Sequence, residues 1–286
     1  VGKPMSKVFS DSIHAGLLLA TLVALAPQAG AQDRQGRTPL GTQTASPVEQ
    51  LKEVQRERDR QPAVAPEPLT RAMERAEVVH GGRQTLLNIA DSTAEGVFTR
   101  FSSDGEARSY PVTLFGKGAS QVQRIIRQPG GDARQGADGL QTWDSFGGHY
   151  TAAYGSGLSF LETHTVRSLR SLFDYQARGS RLKDLGIKDA HRVVEVEDGN
   201  GRATTYFLEA SGRVAKIEFM HTLGVHMLTG KPMAVVESYQ LSEYRTVQGV
   251  LTPMKIEHFS GGTRVDAMEF KSVRHNAALP DNTFRP

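Results

Sequence analysis

The chain of 286 residues contains no cysteine. Disulfides are therefore excluded, although exported proteins commonly use them. Thiolate zinc sites are excluded as well. So is attachment of lipid to an N-terminal cysteine, the route that anchors bacterial lipoproteins. A cysteine-free exported protein points to a bacterial periplasm more than to a eukaryotic secretory route. An excess of one charge is also lacking: 34 Lys and Arg face 31 Asp and Glu, a formal net charge of +3. No block of like charge stands out, which argues against nucleic-acid binding as a main role. Tryptophan occurs once, at Trp143.

Long apolar runs are nearly missing. The one present, Ala15 to Ala26, is shorter than the roughly 20 residues needed to span a bilayer. Its setting explains it. Met5 is the expected start, Lys7 makes a basic n-region, and Pro27 ends the apolar stretch. Ala29 and Ala31 supply the small side chains that signal peptidase requires. Residues 1–31 are thus expected to be a secretory signal peptide, cleaved before Gln32, giving a periplasmic protein. No later segment is apolar enough to cross a membrane.

Catalytic signatures are lacking too. There is no His-Glu-x-x-His helix and no Gly-x-Ser-x-Gly elbow. Gly155-Ser156-Gly157 is a glycine-flanked serine that reads as a loop. The double glycines at 81–82, 130–131, 147–148 and 261–262 read as turns or stops, because none opens a helix after a strand as a phosphate loop would. His221 and His226 are five apart, a spacing that suits neither a helical nor a strand metal pair, and His149, His164 and His258 lie elsewhere. Glu195 and Glu197 share one strand face and read as solvated. No catalytic residue, metal or cofactor is expected, and the protein is read as a non-enzyme.

What is there begins with a polar tether. Residues 32–68 are rich in Gln, Arg, Pro and Thr. They hold too little apolar surface to offset their ordering entropy, apart from a short helix over Val48–Arg58. The folded domain is expected over 69–286. Leu69, Met73, Ala76 and Val79 share one helical face, and Gly81-Gly82 stops that helix. A shorter apolar segment spans Leu86 to Ala90. From Gly96 the period becomes two. Strands are predicted at Val97–Phe101, Ser109–Phe115, Gln121–Arg127 and after the Asp138–Gln141 turn. Pro111 argues that its strand is an edge or starts there. A helical interval, Leu158–Gln176, precedes Arg192–Glu197, Thr204–Glu209 and Val214–Phe219, joined by Gly- and Asn-bearing hairpin turns. Strands Val235–Arg245, Leu251–Phe259 and Thr263–Val273 follow. The fold class is therefore α+β, mainly antiparallel β, with a strongly curved sheet whose dry side is covered by helices.

Particular segments carry a further likeness. These are the helix ending in His80-Gly81-Gly82, the Asp138–Trp143 turn and strand, Ser242 to Pro253, and the ending with Asn276, Leu279-Pro280-Asp281, Phe284 and Pro286. Over about Leu69 to Pro286 the chain resembles the superfamily of outer-membrane lipoprotein carriers and lipoprotein-sorting proteins, the LolA/LolB-like group. The resemblance implies an unclosed half-barrel with a helical lid over a cavity for acyl chains or related lipids. Phe98, Leu114, Ile125, Trp143, Leu208, Ile217, Phe219 and Leu241 would line that cavity. Phe160, Leu169 and Phe173 would form the lid. A buried gating arginine is also implied. Arg100, Arg124 and Arg127 lie on strands, but none has a matching motif, so the sequence leaves that position open. The expected function is carriage of a hydrophobic ligand, a lipid or acylated protein. The alternative is a half-barrel with a filled core that engages an envelope protein partner.

Overall fold

A computed structural model describes residues 67–225 and 232–286. The expected signal peptide, nearly all of the expected tether, and His226 lie outside the described residues. Helix α1 (Leu69–Val79) and the short α2 (Arg83–Leu87) precede six strands. These are β1 (Asp91–Phe101), β2 (Ala107–Lys117), β3 (Gln121–Gln128), β4 (Gly131–Asp138), β5 (Thr142–Phe146) and β6 (His149–Ala152). Two helices follow, α3 (Gly155–His164) and α4 (Leu169–Phe173). The second run is β7 (Arg181–Lys188), β8 (His191–Glu197), β9 (Ala203–Leu208), β10 (Val214–Val225) and β11 (Pro232–Ser242). A small hairpin, β12 (Arg245–Val247) with β13 (Val250–Thr252), leads to β14 (Lys255–Ser260) and β15 (Thr263–His275).

Thirteen of these strands form one antiparallel sheet, in the order β6-β5-β4-β3-β2-β1-β15-β14-β11-β10-β9-β8-β7, and β12-β13 pair separately. The chain runs as a meander from the centre to one edge and crosses through α3 and α4 to the other edge. It then returns, so that the last strand pairs with the first. β6 and β7 do not pair with each other, so the sheet is an unclosed half-barrel.

Alternation sets the two faces. Ile217 and Phe219 on β10 are buried, whereas Lys216 and Glu218 point the other way and pair at 2.8 Å. The inner face carries Phe98, Val112, Ile126, Tyr206, Tyr239 and Met268, each at most 3 % exposed. Full burial of such side chains contributes about 1.5–3 kcal/mol apiece. The outer face has its own small cover. The Trp143 indole N–H donates to the Phe284 carbonyl at 3.3 Å, from the 3-10 turn Asp281–Phe284. Its ring lies on Gly136, where a Cβ would come within 2.3 Å of it.

Several local expectations are corrected. β2 is an internal strand that begins at Ala107, before Pro111. It tolerates the proline because pairing with β3 starts only at Val112. Gly155-Ser156-Gly157 opens α3 instead of forming a loop. The predicted strands Val235–Arg245 and Leu251–Phe259 are interrupted by the β12–β13 hairpin, and β11 and β14 pair directly through Leu241 and Ile256.

Candidate functional site

The helical cover is fastened to the sheet by named polar contacts. α1 buries Ala72, Met73 and Ala76, and ends at His80, which is fully buried. The Val214 N–H donates to His80 Nε2 at 3.3 Å, so Nδ1 carries the proton and faces the Leu251 carbonyl, also at 3.3 Å. Both ring nitrogens are thus used by the neutral imidazole. Burial, with help from the charge of Arg213 and against the Leu251 hydrogen bond, lowers its pKa to about 4. The next residue, Gly81, has φ +105°, and a Cβ there would sit 2.2 Å from the Gly249 carbonyl oxygen. Only glycine meets both demands. α2 and α4 are tied by Arg170, which donates to the Ile89 and Leu87 carbonyls at 2.9 and 3.2 Å.

α3 lies over the middle of the inner face. Phe160 packs on the Arg124 guanidinium at 3.7 Å from ring centroid to Cζ, and Phe98 of β1 flanks the same group at 5.0 Å. Arg124 is 4 % exposed, bonds Gln135, and leaves Nε and Nη1 without partners. Burial pulls its pKa down, while Asp266 pulls it up. Orphaned buried donors cost about 1–3 kcal/mol each, and a desolvated cation–π contact returns about 2 kcal/mol. A costly arginine is therefore clamped between the sheet and helix α3.

A second tie runs from α3 into a buried ionic cluster. Ser159 Oγ and Tyr239 Oη are 2.8 Å apart. The Tyr239 ring stacks on His258 at 4.3 Å. His258 lies 2.6 Å from Glu237 through Nε2 and 3.2 Å from Asp266 through Nδ1, and Ser260 donates to the other Glu237 oxygen. Burial alone would discharge His258, but the hydrogen bonds to Asp266 and Glu237 outweigh it and raise its pKa. Phe219 stacks on the far side of Tyr239 at 6.1 Å. With both ring nitrogens engaged by carboxylates, the cluster is built to hold charge.

An apolar cavity of about 250 Å³ remains between the sheet and the helices. Leu114, Ile217, Leu241 and Ile256 line it from strands, and Leu86 and Leu169 from the helical side. The volume lies just below the roughly 300–1,000 Å³ of ordinary small-molecule pockets. Of the residues the sequence nominated as lining, Leu114, Ile217 and Leu241 meet there. Phe98, Leu208 and Phe219 are inner-face residues in the packed interior beside it. Ile125 and Trp143 lie on the opposite face. Ile125 is in register with Arg134, and Trp143 with Gly136, two residues of one parity on β4, whereas Arg124 is in register with Gln135. Of the nominated lid, Leu169 borders the cavity, Phe160 caps Arg124, and Phe173 is fully buried beneath the helices. The sequence did not single out Arg124 or the His258 cluster. For Arg124 a signal was present, since it alternates in phase with Val122 and Ile126.

No family model and no curated protein matches this sequence. Solved structures do match its fold. A DUF1329 family protein from Desulfovibrio piger aligns with a TM-score of 0.51 and 10% identity, over 76% of this chain and 97% of that one. A structure designated an outer membrane lipoprotein-sorting protein domain, from Vibrio parahaemolyticus, aligns with a TM-score of 0.50 and 14% identity over the same shares. A LolA superfamily protein from Nitrosomonas europaea aligns at 0.48 and 13% identity, again over 76% and 97%. The chain therefore shares the fold of the DUF1329 structure and of the lipoprotein-sorting domain structure. Among the described residues no helix is long and apolar enough to cross a membrane.

Proposed function

We propose that the protein is a periplasmic carrier of a hydrophobic ligand, a lipid or the acyl chain of a lipoprotein, and that it acts without catalysis. The observation that carries this is the 250 Å³ apolar cavity between the curved sheet and helices α2 to α4. It lies in a fold shared with a lipoprotein-sorting domain. Burial supplies the affinity: about 0.8 kcal/mol per CH₂ taken out of water, before ordering costs. The cavity is small, so a long chain needs α3 to lift. Its polar ties to the sheet are Ser159 to Tyr239 and Phe160 over Arg124, and lifting it also uncovers the buried Phe160 and Leu161. The buried gate arginine implied by the resemblance finds its candidate in Arg124. Residues 1–31 as a signal peptide, 32–68 as a tether and 69–286 as the carrier domain complete this reading.

A specific observation keeps the second reading, a filled-core interaction module, in play: most of the inner face is packed solid by Phe98, Phe160, Phe173, Tyr206 and Tyr239. Titration with a fluorescent fatty acid separates the two. A carrier binds it saturably, and Leu114→Trp, which fills the cavity from a partly exposed position, abolishes binding without unfolding. Equal fluorescence changes in both proteins would defeat the carrier reading.

A further inference from the structure

A second cavity, of about 290 Å³, shares no lining residue with the first. It lies where the α3–α4 connection, the segment after α4 and the β8–β9 turn meet. Most of its lining residues carry polar side chains, and three of them are arginines: Arg167, Arg178 and Arg202.

Their hydrogen bonds can be followed one by one. Arg202 is spoken for, with Nε and Nη2 both 2.7 Å from Asp198. Asp198 is the one carboxylate lining the cavity, and it also accepts the Asn200 and Arg202 N–H groups. Its acceptors are therefore taken. Arg167 is 5 % exposed. Nε donates to Glu162 at 2.9 Å, and Nη1 to the Ala203 carbonyl and Thr204 Oγ1 at 2.7 and 2.8 Å. Among the described residues its Nη2 has no hydrogen-bond partner. Arg178 is less satisfied. Its nearest carboxylate, Asp174, is 3.8 Å from Nε, beyond hydrogen-bond reach, and its buried Nη2 has no partner. The Ser180 hydroxyl, also at the cavity wall, makes no hydrogen bond to a described residue. The site thus holds unspent donors from two guanidinium groups and a hydroxyl, and its one carboxylate is already occupied.

We propose that this cavity binds a phosphate group, either free or as the headgroup of a lipid. Donors from three separate side chains that line one cavity suit a tetrahedral oxyanion with several oxygens better than a planar carboxylate. Arginine is the residue that recognises such groups through paired hydrogen bonds. The cavity shares no lining residue with the apolar one, so the inference stands apart from the carrier reading.

The test is calorimetric titration of the full mature protein with inorganic phosphate, alongside sedimentation with phosphatidylglycerol-containing phosphatidylcholine vesicles. The variant is Arg178→Gln, which removes a side chain that holds no hydrogen bond and should leave the melting temperature unchanged. Ser180→Ala serves as a second, milder variant. Saturable phosphate binding, weakened about tenfold or more by Arg178→Gln, identifies a free-phosphate site. Vesicle binding alone, lost in the same variant, identifies a headgroup site. Leu114→Trp should leave either signal intact, so loss of carrier function and loss of this site are distinguishable. The proposal is overturned if neither probe binds, or if both variants bind as the unmodified protein does.

Discussion

Acid should loosen this protein at its buried histidines, and at His80 the size of the effect follows from its surroundings. The folded ring has a pKa of about 4, because it is buried and both nitrogens serve the neutral form. An unfolded histidine titrates at about 6.5. A group whose folded pKa is depressed gives stability that is complete above the unfolded value and drains away as pH falls towards the folded one. Between those values each pH unit is worth about 1.4 kcal/mol per proton. Going from pH 7 to pH 5 therefore costs about 2 kcal/mol at His80 alone. His164, also lowered to about 4 by burial, adds a loss of the same sign. His258 works the other way. Its folded pKa is raised, so its contribution is complete below about 6.5 and fades as pH rises through the folded value. The assay is urea unfolding at pH 7 and pH 5 for the natural protein and His80→Gln. The variant is weaker at pH 7 for want of the Val214 and Leu251 contacts. Its difference between the two pH values should nonetheless be smaller by about 2 kcal/mol. An unchanged difference would refute the assignment of His80 as a buried neutral ring.

Other outcomes follow from the same geometry. Arg124→Met, which swaps two orphaned buried donors for an apolar chain, should cost less than about 1 kcal/mol or stabilise; a denaturation loss above about 3 kcal/mol would show that the charge is structurally required. Gly81→Ala should destabilise by roughly 3 kcal/mol or more, from its positive φ and the Gly249 carbonyl together, whereas Gly82→Ala, with φ +85° and open space, should lose far less. Equal melting temperatures for the two variants would refute the close approach. Trp143 emission should stay constant during fatty-acid titration, because the indole lies on the outer face, and should shift to the red when residues 281–286 are removed; a ligand-dependent shift would place the indole near the cavity.

How far the sequence revealed the fold depends on how cleanly each strand alternates. In Val214–Phe219 the alternation places Ile217 and Phe219 on the dry face, and the structure agrees, but a bulge between Val214 and Lys216 buries Val214 in place of Ala215. β4 (Gly131–Asp138) and β7 (Arg181–Lys188) went unread, since short, polar or small residues leave no period to detect. Ile125-Ile126 offers two equal candidates for the inner face, and only pairing with β4 selects Ile126. Trp143 was misassigned for another reason: an apolar residue implies burial, yet not which layer buries it. Here the C-terminal turn covers the outer face at a distance of 141 residues in the chain. The Glu237, His258 and Asp266 cluster draws on three strands, so no local motif announces it.

Carriage of a hydrophobic ligand is tested most directly by native mass spectrometry, with lipid extraction, of the protein purified from a bacterial periplasm. A co-purifying phospholipid, fatty acid or acylated peptide is expected, absent from Leu114→Trp. A bare, stable protein that also ignores added lipid would mean that the interior is simply a packed core, and would contradict the carrier function.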